Sequence, residues 1–318
     1  KKTIDSLSGI YDFKPEIIVC DKHPDYHSTK YAEGSGLPLV RVQHHYVHIL
    51  SCMAENNLSG DVLGVAWDGT GYGDDGTIWG GEFLAVDDKS YKRIAHLRTF
   101  PLPGGERAVL RPRRSALGVL YEIYGRNIIG LENNNPLERF RPEQKQTLLS
   151  ALRKEINCPK TSSMGRLFDA VASIIGLCQE IDFEGQAAML VEFAAEKSDD
   201  LEVYPIDVFK KDYTHIIDWQ KMIDAIRTEF DRGISRNIIA ARFHNTLAEM
   251  IVEAARIHDK KDVVLSGGCF QNKVLTEKAI ERLKDAGFVP HWHKLIPPND
   301  GGIALGQIMA ASRQNQAE

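Results

Sequence analysis

A chain of 318 residues is long for one compact core and ordinary for two lobes. Its 43% hydrophobic and 26% charged residues, with no apolar run near the roughly 20 residues of a bilayer span, exclude a membrane-spanning or disordered class. The net charge of −5 speaks against a nucleic-acid partner, and the one dense basic cluster, Arg107, Arg111, Arg113 and Arg114, reads as a solvated loop and helix start. Cys20, Cys52, Cys158, Cys178 and Cys269 are odd in number and lack C-x-x-C spacing. That argues against a disulfide framework or a cysteine zinc site and for the reduced thiols of a cytoplasmic protein. The start, Lys1-Lys2-Thr3-Ile4-Asp5, has no apolar core behind its basic pair, so it reads as an internal cut rather than a signal peptide.

Short apolar runs alternate with longer amphipathic stretches, the pattern of an α/β protein. Ile17–Cys20 and Leu39–Val42 read as strands, and His44–Asn56 as a helix. Within Gln43-His44-His45-Tyr46-Val47-His48, His44 and His48 are four residues apart and so share one helix face. Two imidazoles there can hold one metal ion, although exposed pairs without a metal are common. His45 stands one residue off that face.

The next strand, Val62–Trp67, is expected to end at Asp68. The glycines of Asp68-Gly69-Thr70-Gly71-Tyr72-Gly73 would then turn successive N–H groups toward an anion, or simply make a tight hairpin into Gly81–Val86 and Tyr91–Thr99. Asn133–Pro136 and Ser198–Pro205 read as surface connections, and Pro142–Ile156 as an exposed helix. Helices at Gly165–Leu177 and Gly185–Lys197 begin beside glycine turns, where backbone amides are available to a ligand. Asp169 could accept hydrogen bonds from a ribose or merely favour the helix dipole.

Asn237–Asp259 is the longest helix. Val263–Leu265 then opens onto Ser266-Gly267-Gly268-Cys269-Phe270-Gln271-Asn272, a strand-to-glycine turn that is neither a Walker loop nor a Rossmann fingerprint. Phe288–His293 reads as a last strand and Gly302–Arg313 as a closing helix. Between them, Pro297-Pro298 makes a rigid approach to Asp300, which is either a helix cap or a ligand. Two strand-to-glycine turns far apart would suit two similar lobes facing one ligand.

Together these stretches resemble the HypF family of hydrogenase-maturation carbamoyltransferases. The resemblance is carried, in order, by His23-Pro24-Asp25-Tyr26, Gln43-His44-His45-x-x-His48, Asp68-Gly69-Thr70-Gly71, Trp79-Gly80-Gly81-Glu82, Leu102-Pro103-Gly104-Gly105, Ser163 to Asp169, Glu184-Gly185-Gln186, Ser266 to Asn272 and Pro297 to Gly302. It implies a two-lobed actin-like ATPase fold, ribonuclease H-like, with nucleotide and metal in the interlobe cleft. The lobes would be residues 1–100, lacking their first strands, and 101–318, with helical insertions. It implies that His44, His48, Asp68 and Asp300 hold a divalent metal (iron, zinc or magnesium), with His44, His48 and Asp68 the catalytic set.

By the same resemblance Gly69, Thr70, Gly71 and Gly73 would cradle phosphate or the carbamoyl end, and Asp169, Glu184, Gly185, Ser266, Gly267, Gly268 and Asn272 would grip the nucleotide. The implied reaction moves a carbamoyl group from carbamoyl-adenylate, made from carbamoyl phosphate and ATP, to the C-terminal cysteine thiol of a partner, HypE. No membrane or nucleic acid takes part. Acylphosphatase-like, zinc-finger and YrdC-like domains, upstream in the family, are absent here, and Arg111-Pro112 stands where an acidic residue is expected before the proline. Rival readings are an antibiotic O-carbamoyltransferase, a TsaD-like enzyme of tRNA modification and a non-catalytic nucleotide-sensing module.

Overall fold

The computed structural model describes residues 2–131, 136–258 and 260–315. The connection expected at Asn133–Pro136 therefore lies, apart from Pro136, outside the described residues. A helix not foreseen from the sequence, Lys2–Tyr11 (α1), opens the chain. Ile18–Asp21 (β1) and Leu39–Val42 (β2) pair in parallel as a small separate sheet. Parallel neighbours need a crossover, and His27–Glu33 (α2) supplies it. The side chain of Gln43 accepts the backbone N–H of Tyr46 at 2.9 Å, which fixes the start of His44–Glu55 (α3).

The second sheet begins as an antiparallel meander of Val62–Tyr72 (β3), Ile78–Val86 (β4) and Tyr91–Leu97 (β5). Phe100–Pro101 (β6) leads to the helices Pro112–Tyr124 (α4) and Pro142–Arg153 (α5), and Lys160–Thr161 (β7) pairs with β6. Helices Met164–Ile174 (α6) and Gln186–Ala195 (α7) precede the hairpin Asp207–Lys211 (β8) and Thr214–Asp218 (β9). After Gln220–Asp231 (α8) and the long Arg236–His258 (α9) come Asp262–Ser266 (β10), Lys273–Asp285 (α10), Val289–Trp292 (β11) and Ile303–Asn315 (α11).

The main strand order is β11-β10-β3-β4-β5-β9-β8. Within it, β5, β4 and β3 are antiparallel, and β10 and β11 extend the sheet in parallel from β3. That is the ribonuclease H-like arrangement, so the expected α/β class is observed. Strand β3, which the sequence assigns to the first lobe, pairs with β10 from the second, and β5 pairs with β9. What stands apart is the β1–β2 sheet, which precedes residue 56.

Alternation along β3 sorts its side chains between two cores. Leu63, Val65 and Trp67 join Phe168 of α6 and Phe243 of α9 on one face. Val62 and Ala66 join Ile49 and Leu50 of α3 and Ala310 of α11 on the other. Helix α3, which carries His44 and His48, thus lies flat on the sheet. Gly64 lets it approach: a Cβ there would sit 2.6 Å from the Ile49 side chain.

Of the basic cluster, Arg111 and Arg113 share Glu180, and Arg114 Nη1 donates to the carbonyl of Pro103 at 3.2 Å. All five cysteines are unpaired, and no described helix is long and apolar enough to cross a membrane.

Helices α3 and α11 cross so closely that a Cβ on Gly306 would lie 2.0 Å from the carbonyl oxygen of Val47. Backbone cannot give way as a side chain can. Gly306→Val is expected to cost about 2–3 kcal/mol by overpacking, read as a lower urea midpoint. A midpoint equal to wild type would show that the two helices part without loss.

Candidate metal centre and cleft

The strand expected to stop at Asp68 does not stop. Residues Trp67 and Gly71 pair with Gly81 and Trp79, so Asp68, Gly69 and Thr70 stand opposite Gly80 alone. This bulge lifts the three residues out of the ladder before β3 resumes. Gly80 has φ of 152°, and a Cβ on it would lie 2.6 Å from the Asp68 carbonyl oxygen, so the bulge fits only over glycine. The chain reversal itself comes later, where Gly73 N–H donates to the Thr77 carbonyl at 2.9 Å.

The bulge brings Asp68 to the start of α3. Its Oδ2 is 3.3 Å from His44 Nε2 and 3.2 Å from His48 Nε2. Asp300 Oδ1 is 3.6 and 3.7 Å from the same two nitrogens. All four ligand atoms lie within 4.8 Å of one another. Ligands at about 2.1 Å around a tetrahedral metal are about 3.4 Å apart, so two nitrogens and two carboxylates stand here at a spacing that a single divalent ion can bridge. The helix-cap role that Asp300 could have had belongs to Asn299, whose side chain accepts the Gly301 N–H at 3.0 Å. Asp300 is left free to face the histidines.

Sequence reasoning missed Asp21. Its Oδ2 is 2.8 Å from His44 Nδ1, the far ring nitrogen, which is how a carboxylate orients a metal-binding imidazole. Asp21 closes β1 as Asp68 closes the regular part of β3, but nothing in its spacing from His44 announces the contact. Burial works against a charged His44, yet the hydrogen bonds to Asp21 and Asp68 outweigh it and hold the imidazolium up to about 10. A cation entering the cluster displaces that proton. His45 is fully buried, its Nδ1 on the Gln43 side-chain amide at 3.1 Å, and burial together with the charge on His44 presses it down to about 3. It is not placed to serve as a base for an incoming group.

Beside the cluster opens a cleft of about 420 Å³, within the usual range for ligand pockets. Asp68, Gly69 and Thr70 form one wall, Gly165, Arg166 and Asp169 the base of α6, Glu184 and Gly185 the approach to α7, and Gly268 and Asp300 the far side. Helix α6 abuts the bulge: a Cβ on Gly165 would lie 2.8 Å from Gly69 Cα, and Ser163 Oγ donates to the Gly69 carbonyl at 2.7 Å.

Several expected residues lie outside this lining. Gly71 packs under the His44 and His45 rings, and Gly73 under the Trp79 indole. Asn272 caps α10 through the Leu275 N–H and bonds His244. Ser266 is buried against His293. Gly267, with φ of 102°, makes the turn that presents Gly268. Tyr26, which carried the resemblance without a role, does line the cleft.

The fold and site define an α/β protein whose cleft ends on a cluster of two histidines and two aspartates spaced so that it could hold a metal ion. The chain belongs to the HypF carbamoyltransferase family and corresponds to its Kae1-like domain. Residues 64–307 match the family described as the carbamoyltransferase Kae1-like domain, second subdomain, and residues 1–55 match the HypF Kae1-like domain. The chain is 44% identical to carbamoyltransferase HypF of Synechocystis sp., across 99% of this chain and 42% of that protein. It is 34% identical to a HypF homolog of Cupriavidus necator, across 100% of this chain and 82% of that one. A crystal structure of full-length HypF in the phosphate- and nucleotide-bound form superimposes with a TM-score of 0.90 at 39% identity, covering 98% of this chain and 49% of that chain. The chain therefore spans less than half the length of the Synechocystis relative.

Two outcomes follow from the site's geometry. Asp21→Asn is expected to weaken binding of added Zn²⁺ by roughly 10–100-fold, measured by competition with a chelating dye, because the imidazole loses the carboxylate that orients it. Unchanged affinity would remove Asp21 from the metal centre.

Asp169 is buried at 1% exposure, and burial raises its carboxyl to about 7 against the opposing pull of Arg166. Arg166 Nη1 is 2.9 Å from Asp169 Oδ2 but out of hydrogen-bonding geometry. A raised folded value means that protonated Asp169 contributes stability that is full below about pH 4 and lost as pH rises through about 7. Asp169→Asn is therefore expected to gain on wild type between pH 5 and pH 8, by on the order of 1–4 kcal/mol in urea melts. A gap that does not widen with pH would contradict the raised value.

Proposed function

We propose that this chain is the carbamoyl-transfer unit of a HypF-type enzyme, holding carbamoyl-adenylate in the cleft and passing the carbamoyl group to the C-terminal cysteine thiol of HypE. The thiocarboxamide so formed would later supply cyanide ligands to the metal centre of [NiFe]-hydrogenase. The observation that carries this reading is the cluster of His44, His48, Asp68 and Asp300 set against a glycine-lined cleft, in a chain of this family. The nucleotide named for the solved HypF relative supports it. Carbamoyl phosphate and ATP would be joined by the acylphosphatase-like, zinc-finger and YrdC-like domains upstream in the family. We place the boundary between the chain's own two parts at residues 56–61, between the separate small sheet and the large one. Unpaired thiols suit a reducing cytoplasm.

In this reading the phosphate lies against Asp68, Gly69, Thr70 and Gly268, and Asp169, Glu184 and Gly185 face the ribose and base. Gly71, Gly73, Gly267, Ser266 and Asn272 shape these surfaces from behind. A divalent ion, iron, zinc or magnesium, held by the four ligands would supply charge neutralisation on the adenylate phosphate as AMP leaves. The chain's own residues position and orient. The partner's sulfur forms a bond to the carbamoyl carbon, the bond from that carbon to the adenylate phosphate oxygen breaks, AMP departs and the thiol proton is released. Cys269 lines the cleft, but burial and then the charge on Asp68 push its thiol well up, so it is a poor thiolate and no nucleophile from this chain is needed. Within the lining, Asp68, Asp169, Glu184 and Asp300 bring carboxylates and Arg166 the guanidinium, a balance that disfavours a polyanionic tRNA.

The test supplies carbamoyl-adenylate and HypE to the chain and follows AMP release. Wild type is expected to turn over, and to fail with carbamoyl phosphate and ATP alone. His48→Ala should lose roughly 10²–10³ in rate, the worth of several kcal/mol of charge stabilisation. Full activity in His48→Ala would reject the metal-assisted transfer.

A further inference from the structure

Helix α3 starts at the metal cluster with His44 and His48 and ends at Glu55, which does not line the cleft. Glu55 is 7% exposed on its side chain and fully engaged. Its Oε2 lies 2.9 Å from His293 Nδ1, and its Oε1 accepts the N–H groups of Lys294 and Leu295, both at 2.7 Å. His293 Nε2 is in turn 2.8 Å from Ser266 Oγ. With a carboxylate accepting at Nδ1, that ring nitrogen carries the proton, and Nε2 accepts the serine hydroxyl. Ser266 leads directly into Gly267 and Gly268, while His293 leads through Pro297 and Pro298 to Asp300. The two loops also touch: Gly267 N–H donates to the Pro298 carbonyl at 3.0 Å.

Serine, histidine and glutamate in this order have the form of an acyl-transfer triad. Ser266, however, is 0% exposed at the back of the turn, so no substrate reaches its hydroxyl. Its neighbours give the arrangement another use. One buried carboxylate at the end of the histidine helix grips the loop that carries the fourth metal ligand, and through one imidazole it also grips the turn that presents Gly268. At the front, Asp68 joins the same parts directly, since its Oδ1 accepts the Gly268 N–H at 3.2 Å while its Oδ2 faces both histidines.

We infer that Glu55, His293 and Ser266 form a positioning relay that ties helix α3 and Asp300 to the Gly267–Gly268 turn, so that a cation in the cluster and a nucleotide in the cleft strengthen each other's binding. The inference rests on the metal and nucleotide reading above. Burial opposes the charge on Glu55, but the loop N–H groups and His293 outweigh it and lower its carboxyl, in keeping with a permanently ionised anchor.

The experiment measures the coupling rather than either affinity alone. Co²⁺, whose visible absorption reports its ligands, and AMP serve as probes of the full chain, each titrated with and without a saturating amount of the other. In wild type, Co²⁺ is expected to tighten AMP roughly tenfold, and AMP to tighten Co²⁺ by the same factor. In Glu55→Gln and His293→Phe that factor should fall below about twofold although both probes still bind. A loss of stability alone weakens both ligands alike and leaves their ratio in place. Where either variant melts before it can be titrated, Ser266→Ala removes only the last link of the relay and carries the same expectation. Coupling at the wild-type level in these variants, or none in wild type, would overturn the relay and leave the metal reading standing. Wild type that binds no Co²⁺ would overturn the metal reading and the relay with it.

Discussion

One carboxylate, Asp68, has to satisfy two neighbours at once. Its Oδ2 stands between His44 and His48, and its Oδ1 accepts the N–H groups of Gly69 and Gly268. Those contacts exist only because β3 breaks its ladder for three residues and then resumes. A regular strand would have alternated Asp68 against Trp67 across the sheet and could not have turned it along the helix. The glycines around it are therefore positioned by sterics as much as by ligand contact: Gly80 yields to the bulge, and Gly165 lets α6 reach it.

The cleft's electrostatics follow from that placement. A cavity lined by four carboxylates and one guanidinium would repel a phosphate. Burial partly relieves this at Asp169, whose raised carboxyl is substantially protonated at neutral pH. At the other end, Asp68 is held well below the ordinary carboxylate range, because hydrogen bonds from His44 and His48 outweigh its burial. The cleft thus has a nearly neutral end and a strongly charged end. In the proposed reading a divalent ion would sit at the charged end, and a nucleotide lying between the two would direct its phosphate there.

The parts of this site that were legible in the sequence are those fixed by local geometry. The spacing of His44 and His48 guarantees a shared helix face, and the structure places both beside Asp68. Strand Leu39–Val42 and the helix after it were readable from alternation and period. Contacts across space were not. Asp21 reaches His44 because two elements of the small sheet and α3 meet, which no spacing encodes. Glycine-rich runs were ambiguous in kind: Gly71 continues the strand, Gly73 opens the hairpin turn, and Asn272 caps a helix. A helix was expected after the glycine pair, and α10 follows it, although it buries only Leu275, Ala279 and Leu283, a stripe too thin among charged residues to mark its bounds.

The four clustered side chains come from distant parts of the chain. His44 and Asp68 come from the first third of the chain and Asp300 from its end. Helix α11 carries the end of the chain back onto α3, where Ser51 Oγ donates to the Gly302 carbonyl at 2.9 Å. The cluster therefore cannot assemble locally in an unfolded chain, and any ion that prefers it over scattered side chains binds the native state selectively. Such binding adds to stability in proportion to the logarithm of ion concentration over its dissociation constant. The region that gains most is the seam where α3, the β3 bulge and the Pro297–Gly302 loop meet, because the four side chains are drawn from those elements. A cation at this seam would hold the two parts of the molecule at the spacing the cleft requires.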